Sequence, residues 1–195
     1  PELAEIGAQE TDEDTPLVLT LEATDVDEDN LTFSAVSQYP DNIEAVVTGN
    51  QLTLTPAEDW NGSVNISVSV NDGALGDSEV FELTVTPVND VPTIVLPESI
   101  TFAEDGSFVE DFTQYIDDID EDVLTLTVTG NENVTVSIDG FEVTFGVVQD
   151  WHGTEILTFT VNDNQGRAIA EDNIDVIVTP VNDAPTLIEI GDHET

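Results

Sequence analysis

The chain has 195 residues, of which 43 are acidic and one, Arg167, is basic, for a formal net charge of −42. That charge excludes nucleic acid and anionic membrane surfaces as partners, since both would be repelled, and the absence of cysteine excludes disulfides and thiolate metal sites. Yet 39% of the residues are hydrophobic, and they are placed at alternating positions, which separates the chain from a disordered acidic tail.

Taken in chain order, the first alternating run is Leu17, Leu19, Leu21 and Ala23, which predicts a strand over 17–23. Val64, Ile66, Val68 and Val70 then alternate with Asn65, Ser67, Ser69 and Asn71, and Phe81, Leu83 and Val85 alternate with Glu82, Thr84 and Thr86. Past residue 90 the pattern resumes with Leu124, Leu126 and Val128, and again with Leu157, Phe159 and Val161. Asp, Asn, Gly and Pro punctuate these runs roughly every 8 to 12 residues, the spacing of an all-β sandwich. No stretch has the period of a useful amphipathic helix.

The chain repeats itself. Asp59-Trp60-Asn61-Gly62 returns 91 residues later as Asp150-Trp151-His152-Gly153, and Thr86-Pro87-Val88-Asn89-Asp90 returns 93 residues later as Thr179-Pro180-Val181-Asn182-Asp183. Such a period is too long for a solenoid unit and suits a small domain. Each copy is expected to be a seven-strand Ig-like Greek-key sandwich, at 1–90 and 91–184, the two joined in line. Residues 185–195 match the first eleven at seven positions, so they are expected to start a third repeat of a longer parent with further copies on both sides.

Strand direction decides which acids are neighbours. The strands at 17–23 and 64–70 should both run from base to top, so Asp25, Asp27 and Asp72 collect at the top of the first domain. Glu13, Asp14 and Asp59 precede those strands and collect at the base, where the last strand delivers Asn89 and Asp90. In the second domain Asp118, Asp120 and Asp163 are expected at the top, and Glu104, Asp150, Asn182 and Asp183 at the base. Joined end to end, Glu13, Asp59, Asn89, Asp90, Asp118, Asp120 and Asp163 would converge on one junction. Carboxylates that close do not all stay ionised without a cation, and many oxygen ligands on flexible loops suit Ca²⁺, with its 6–8 ligands, better than Mg²⁺. Two other readings stay open: each Asp as an ordinary Asx-turn at a strand end, and the whole charge as a solvated, halophile-like surface. An EF-hand is excluded, because the loop from Asp25 has Asn30 where Gly is needed and Val36 where a bidentate Glu is needed.

Trp60 and Trp151, each ahead of an alternating strand, are expected to be buried anchors at the bottom of the core. The triplets at Asn30, Asn61, Asn65 and Asn133 fit the glycosylation sequon but arise easily in such sequences.

With these motifs the chain resembles the cadherin superfamily, in particular the bacterial cadherin-like tandem repeats of large RTX-type surface adhesins. Glu13-Asp14 is similar to the family's basal Glu motif, Asp25-Val26-Asp27 to its D-x-D, Asp72 to its later single Asp, and Val88-Asn89-Asp90-Val91-Pro92 to its linker. The stretch from Pro56 to Gly73 is similar to the bacterial signature of Asp, aromatic, Asn-Gly, strand, Asn-Asp-Gly. Pro87 and Val91 depart from the linker motif and Ala57 from an acidic pair, which implies fewer ions per junction than the three typical of animal cadherins.

No catalytic constellation is present. His152 and His193 stand where the other copy has Asn61 and Gln9, and neither Cys nor Lys occurs, so an enzyme is not expected. The function implied is a calcium-rigidified extender of a secreted or cell-surface bacterial adhesin, projecting a distal ligand-binding domain, with neighbouring repeats as its partners and polysaccharide or surface protein met through other domains. Strands of up to ~10 residues would give each domain a long axis of roughly 30–40 Å. The alternatives are a carbohydrate- or protein-binding module, and calcium-dependent homophilic cell–cell adhesion.

Overall fold

The computed structural model describes residues 1–166 and 169–185. The chain divides into two compact units, Pro1–Val88 and Asn89–Thr195. Apart from Pro185, the expected start of a third repeat lies outside the described residues.

The first unit has strands β1 (Glu2–Leu3), β2 (Gln9–Asp12), β3 (Leu17–Thr20), β4 (Ala23–Thr24), β5 (Thr32–Ser37), β6 (Ile43–Thr48), β7 (Gln51–Pro56), β8 (Gly62–Asn71) and β9 (Gly76–Thr86). One sheet runs β2-β9-β8-β5 and the other β3-β7-β6, with β1 and β4 as a separate pair. All pairings are antiparallel except β2 with β9, which is parallel. The alternation in β8 decides its packing: Val64, Ile66, Val68 and Val70 are buried, while Asn65 and Asn71 stay in water. They meet Leu52, Leu54, Phe81, Leu83 and Val85 in a core in which Phe81 is the one buried aromatic.

The second unit repeats the plan with β10 (Thr93–Ile94), β11 (Ser99–Ala103), β12 (Phe108–Asp111), β13 (Ile116–Asp117), β14 (Thr125–Thr129), β15 (Val134–Asp139), β16 (Glu142–Val147), β17 (Gly153–Asn162) and β18 (Ile169–Thr179). Its sheets are β11-β18-β17-β14 and β12-β16-β15, with β10 on β13. Both units are therefore all-β Ig-like, cadherin-like sandwiches.

Two expectations are corrected. The strand expected over 17–23 is interrupted: Leu21 turns inward and its amide donates to the Asn50 carbonyl at 2.7 Å, so β3 pairs with β7 and β4 with β1. In the second unit this break holds a short 3-10 turn, Phe112–Tyr115, capped by the Asp111 carboxylate, which accepts from the Thr113 amide at 2.9 Å. The tryptophans are also only partly buried. Each indole packs on its core but lies against a glycine at the strand entrance, Gly62 or Gly153, so its outer face remains at the rim.

The 3-10 turn gives the second unit an aromatic core. Phe112 lies 4.8 Å from Phe159 and 6.2 Å from Phe145 between ring centroids, and Tyr115 stands edge-on to it at 5.8 Å. Because Phe112 is fully buried, Phe112→Ala is expected to cost about 3–5 kcal/mol, read in chemical denaturation as a lower midpoint for the second unit's transition.

Candidate cation sites at the loop ends

The loop after β4 winds around one carboxylate. Asp25 Oδ1 accepts from the amides of Asp27 at 2.9 Å and Asp29 at 3.3 Å, with Glu28 in the left-handed region at φ 60°. Carboxylate oxygens of Asp25, Asp27 and Asp29 lie within 4.8 Å of one another. The other oxygen of Asp25 takes a positive charge: the Pro1 ammonium sits 3.1 Å from Asp25 Oδ2 and 3.8 Å from Asp72 Oδ2. This ammonium, together with the Asp29 and Asp27 amides, holds the Asp25 carboxyl below its ordinary range. The amides of Leu75 and Ala74 lower that of Asp72.

The second unit builds the same loop. Asp118 Oδ1 accepts from the Asp122 amide at 3.1 Å, and Glu121 repeats the left-handed turn at φ 57°. Oxygens of Asp118, Asp120 and Asp122 again fall within 4.8 Å of one another. Asp118 Oδ2 is buried and has no hydrogen-bond partner. Around it, Asp163, 1% exposed, accepts from the Asn89 side-chain amide at 2.8 Å and the Gln165 amide at 2.8 Å, and Asp120 accepts from the Asp90 amide at 2.7 Å. This unit thus brings together Asn89, Asp163, Asp90, Asp120, Asp118 and Asp122.

At the base of each unit a buried glutamate ties the last strand's exit to the sandwich. Glu13, 3% exposed, accepts from the Val88 amide at 2.6 Å and the Asn61 side-chain amide at 3.3 Å. Nearby, Asp14 accepts from the Asp59 amide at 3.2 Å. Glu104, 7% exposed, accepts from the Val181 amide at 2.6 Å, and its second oxygen is 3.3 Å from His152 Nδ1. The Val181 amide, then His152, lower the Glu104 carboxyl. Asp183 is pushed the other way, above the usual carboxylate range, by the charge of Asp150 first and then by burial, Asp105 and Glu104. Asn182 donates to the Asp183 carbonyl at 3.2 Å.

Several carboxylates with clear structural roles were not among the expected ligands. Asp77 accepts from the amide of Leu3 in β1 at 2.9 Å and Asp172 from the amide of Leu96, just past β10, at 2.7 Å, so each clamps the start of its unit. Glu79 takes the Ile6 amide at 2.8 Å, and Glu155 caps the amides of Glu132, Asn133 and Val134. These bonds join residues more than twenty to seventy positions apart, so local spacing gives no sign of them.

Residues 1–86 match the family model of the cadherin-like domain, and residues 89–179 that of the bacterial Ig domain. The chain belongs to the bacterial cadherin-like and Ig-like repeats. No curated protein matches it in sequence. Among solved structures, human protocadherin-24, first two extracellular cadherin domains, aligns at a TM-score of 0.61 and 16% identity, over 93% of this chain and 99% of that one. Extracellular cadherin domains 1–5 of protocadherin gamma B2 align at 0.59 and 18%, over 94% and 40%. An endo-fucoidan hydrolase of glycoside hydrolase family 107 aligns at 0.38 and 18%, over 93% of this chain, which spans 28% of that protein's length. At these identities the likeness is one of fold. Repeats of this class are typical of extracellular, adhesion-type architectures, and among the described residues no helix is long and apolar enough to cross a membrane.

The Asp77 clamp carries a pH signature. The Leu3 and Ser78 amides lower its carboxyl, so its stabilisation is present above the ordinary aspartate range and is lost as pH falls through the depressed folded value. Asp77→Asn is expected to lower the first unit's melting temperature at neutral pH and to narrow the gap to the parent chain in acid. A gap independent of pH would exclude the charged clamp.

Proposed function

We propose that these two repeats are a calcium-rigidified, non-enzymatic extender segment of a bacterial surface or secreted adhesin, carrying a ligand-binding domain elsewhere in its parent. The observation that carries this reading is the orphaned, buried Asp118 Oδ2, whose carboxylate clusters with those of Asp120 and Asp122. A buried acceptor with no donor costs about 1–3 kcal/mol, and a hard cation removes that cost. Oxygen pairs around one Ca²⁺, with Ca–O distances of 2.3–2.6 Å, lie up to about 5 Å apart, in keeping with the 4.8 Å clusters of both units. The first unit supports the same chemistry, since oxygens of its Asp25, Asp27 and Asp29 cluster in the same way. Asp118, Asp120, Asp122, Asp163 and the Asn89 carbonyl oxygens would hold the ion in the second unit. Asp25, Asp27 and Asp72 would do so in the first. Glu104, Asp150 and Asp183, whose charges repel at Asp183, supply a further acidic set, beside which Asn182 offers an amide oxygen.

The ligands Asn89 and Asp90 lie in the linker itself, directly after Val88, the residue whose amide Glu13 holds. An ion bound to them restrains the linker, and with Glu13 and Asp59 contributing it would join neighbouring repeats. Such a segment acts by its stiffness and needs no catalytic group.

Millimolar Ca²⁺ is expected to raise the melting temperature, because extracellular sites of this kind have Kd values of about 10⁻⁴–10⁻³ M and binding to the folded state alone stabilises by mass action. Sodium chloride at matched ionic strength should do less, and equal effects would favour a generally solvated acidic surface. In small-angle X-ray scattering, EDTA is expected to broaden the distance distribution while each unit stays folded, and Asp120→Ala to do so even with Ca²⁺. An unchanged distribution would exclude rigidification by calcium.

A further inference from the structure

Gly62 opens β8 with φ at +138°, and a Cβ there would meet the Trp60 ring at 3.2 Å. Gly153 repeats both features, with φ at +153° and Trp151 at 3.2 Å. Backbone conformation and the overlying indole thus demand glycine in both units. The residue before it is not so constrained, and it is there that the units differ: Asn61 in the first, His152 in the second. Asn61-Gly62 is the chain's one Asn-Gly pair. Asn61 is exposed, and its side-chain amide donates to Oε2 of the buried Glu13 at 3.3 Å.

We propose that Asn61 is a site of spontaneous covalent modification, deamidation, for which the second unit has no counterpart at His152. Glycine imposes no side chain between the Gly62 backbone nitrogen and the Asn61 carboxamide. That nitrogen gives up its proton and attacks Asn61 Cγ, the Cγ–Nδ2 bond breaks, and Nδ2 leaves as ammonia, closing a five-membered imide. Water then opens the imide. Attack at Cγ leaves an aspartate, and attack at the main-chain carbonyl leaves an isoaspartate, in which the backbone runs through the side chain. The net reaction is amide plus water to acid plus ammonia, with no oxidant or cofactor. Either product replaces the donor facing Glu13 by a carboxylate. The isoaspartate also lengthens the main chain by one carbon immediately before the glycine that Trp60 covers. The base of the first unit would therefore change its charge with age, and that of the second would not.

The test holds the folded two-repeat chain in mildly alkaline buffer for days, then maps peptides by mass and measures isoaspartate with an isoaspartyl methyltransferase. The peptide containing Asn61 is expected to gain the amide-to-acid mass difference several-fold faster than peptides containing the other asparagines, with isoaspartate in the same peptide. Asn61→His should remove that signal and leave the rest of the map unchanged. The aged sample, separated by charge, should show a lower melting temperature for the first unit, as should Asn61→Asp. Conversion of Asn61 no faster than of the other asparagines, or only in denaturant, would overturn the proposal, as would an unaltered melting temperature in the separated aged form.

Discussion

Forty-three carboxylates share this chain with one side-chain cation, and their mutual repulsion governs how the sandwiches are finished. The cores escape it, closing on Val, Leu, Ile and Phe. The acids are left to the loops and to strand positions outside the core, where the fold spends main-chain amides on many of them. Asp25, Asp72, Asp77, Asp163, Asp172, Glu13, Glu104 and Glu155 each accept at least one backbone N–H. A carboxylate held this way satisfies main-chain donors and fixes the segment that surrounds it. Where amides run out, as at Asp118 Oδ2, the demand for a positive partner remains.

The two units build these loops on the same geometry, down to the left-handed Glu28 and Glu121. In both, the aspartate at the head of the loop accepts main-chain amides, Asp25 from Asp27 and Asp29 and Asp118 from Asp122. The acidic loop is thus a property of the repeat and not of one copy.

Much of this was legible in the sequence. Period-two alternation located β8, β9, β14 and β17, and the repeat of turn residues located the acidic loops, because both signals are local. The interrupted β3–β4 strand was not legible, since Leu21 and Ala23 keep the same alternation through the break, and the Asn50 carbonyl that fixes it comes from another turn. The 3-10 turn at Phe112–Tyr115 is the two-residue excess between Leu17/Phe108, 91 apart, and Asp25/Asp118, 93 apart, a difference the repeats themselves record. The clamps by Asp77 and Asp172 gave no signal, because an aspartate near a strand start is equally an ordinary turn residue. The tryptophans were expected inside since aromatic size argues for burial, but a ring laid over a glycine at the sandwich mouth keeps one face in water.

The contrast between the cores bears on how a tandem protein avoids confusing its parts. Neighbouring domains of one fold are joined covalently at high local concentration, and strand exchange between them is a characteristic misfolding route. Here Phe112, Phe145, Phe159 and Tyr115 interlock in one unit, whereas in the other Phe81 is the one buried ring and Phe33 and Trp60 are only partly buried. A hybrid sandwich built with strands from both would leave voids where rings are missing and clashes where they are surplus. Unequal cores thus act as addresses, sending each strand back to its own domain as the chain emerges and folds.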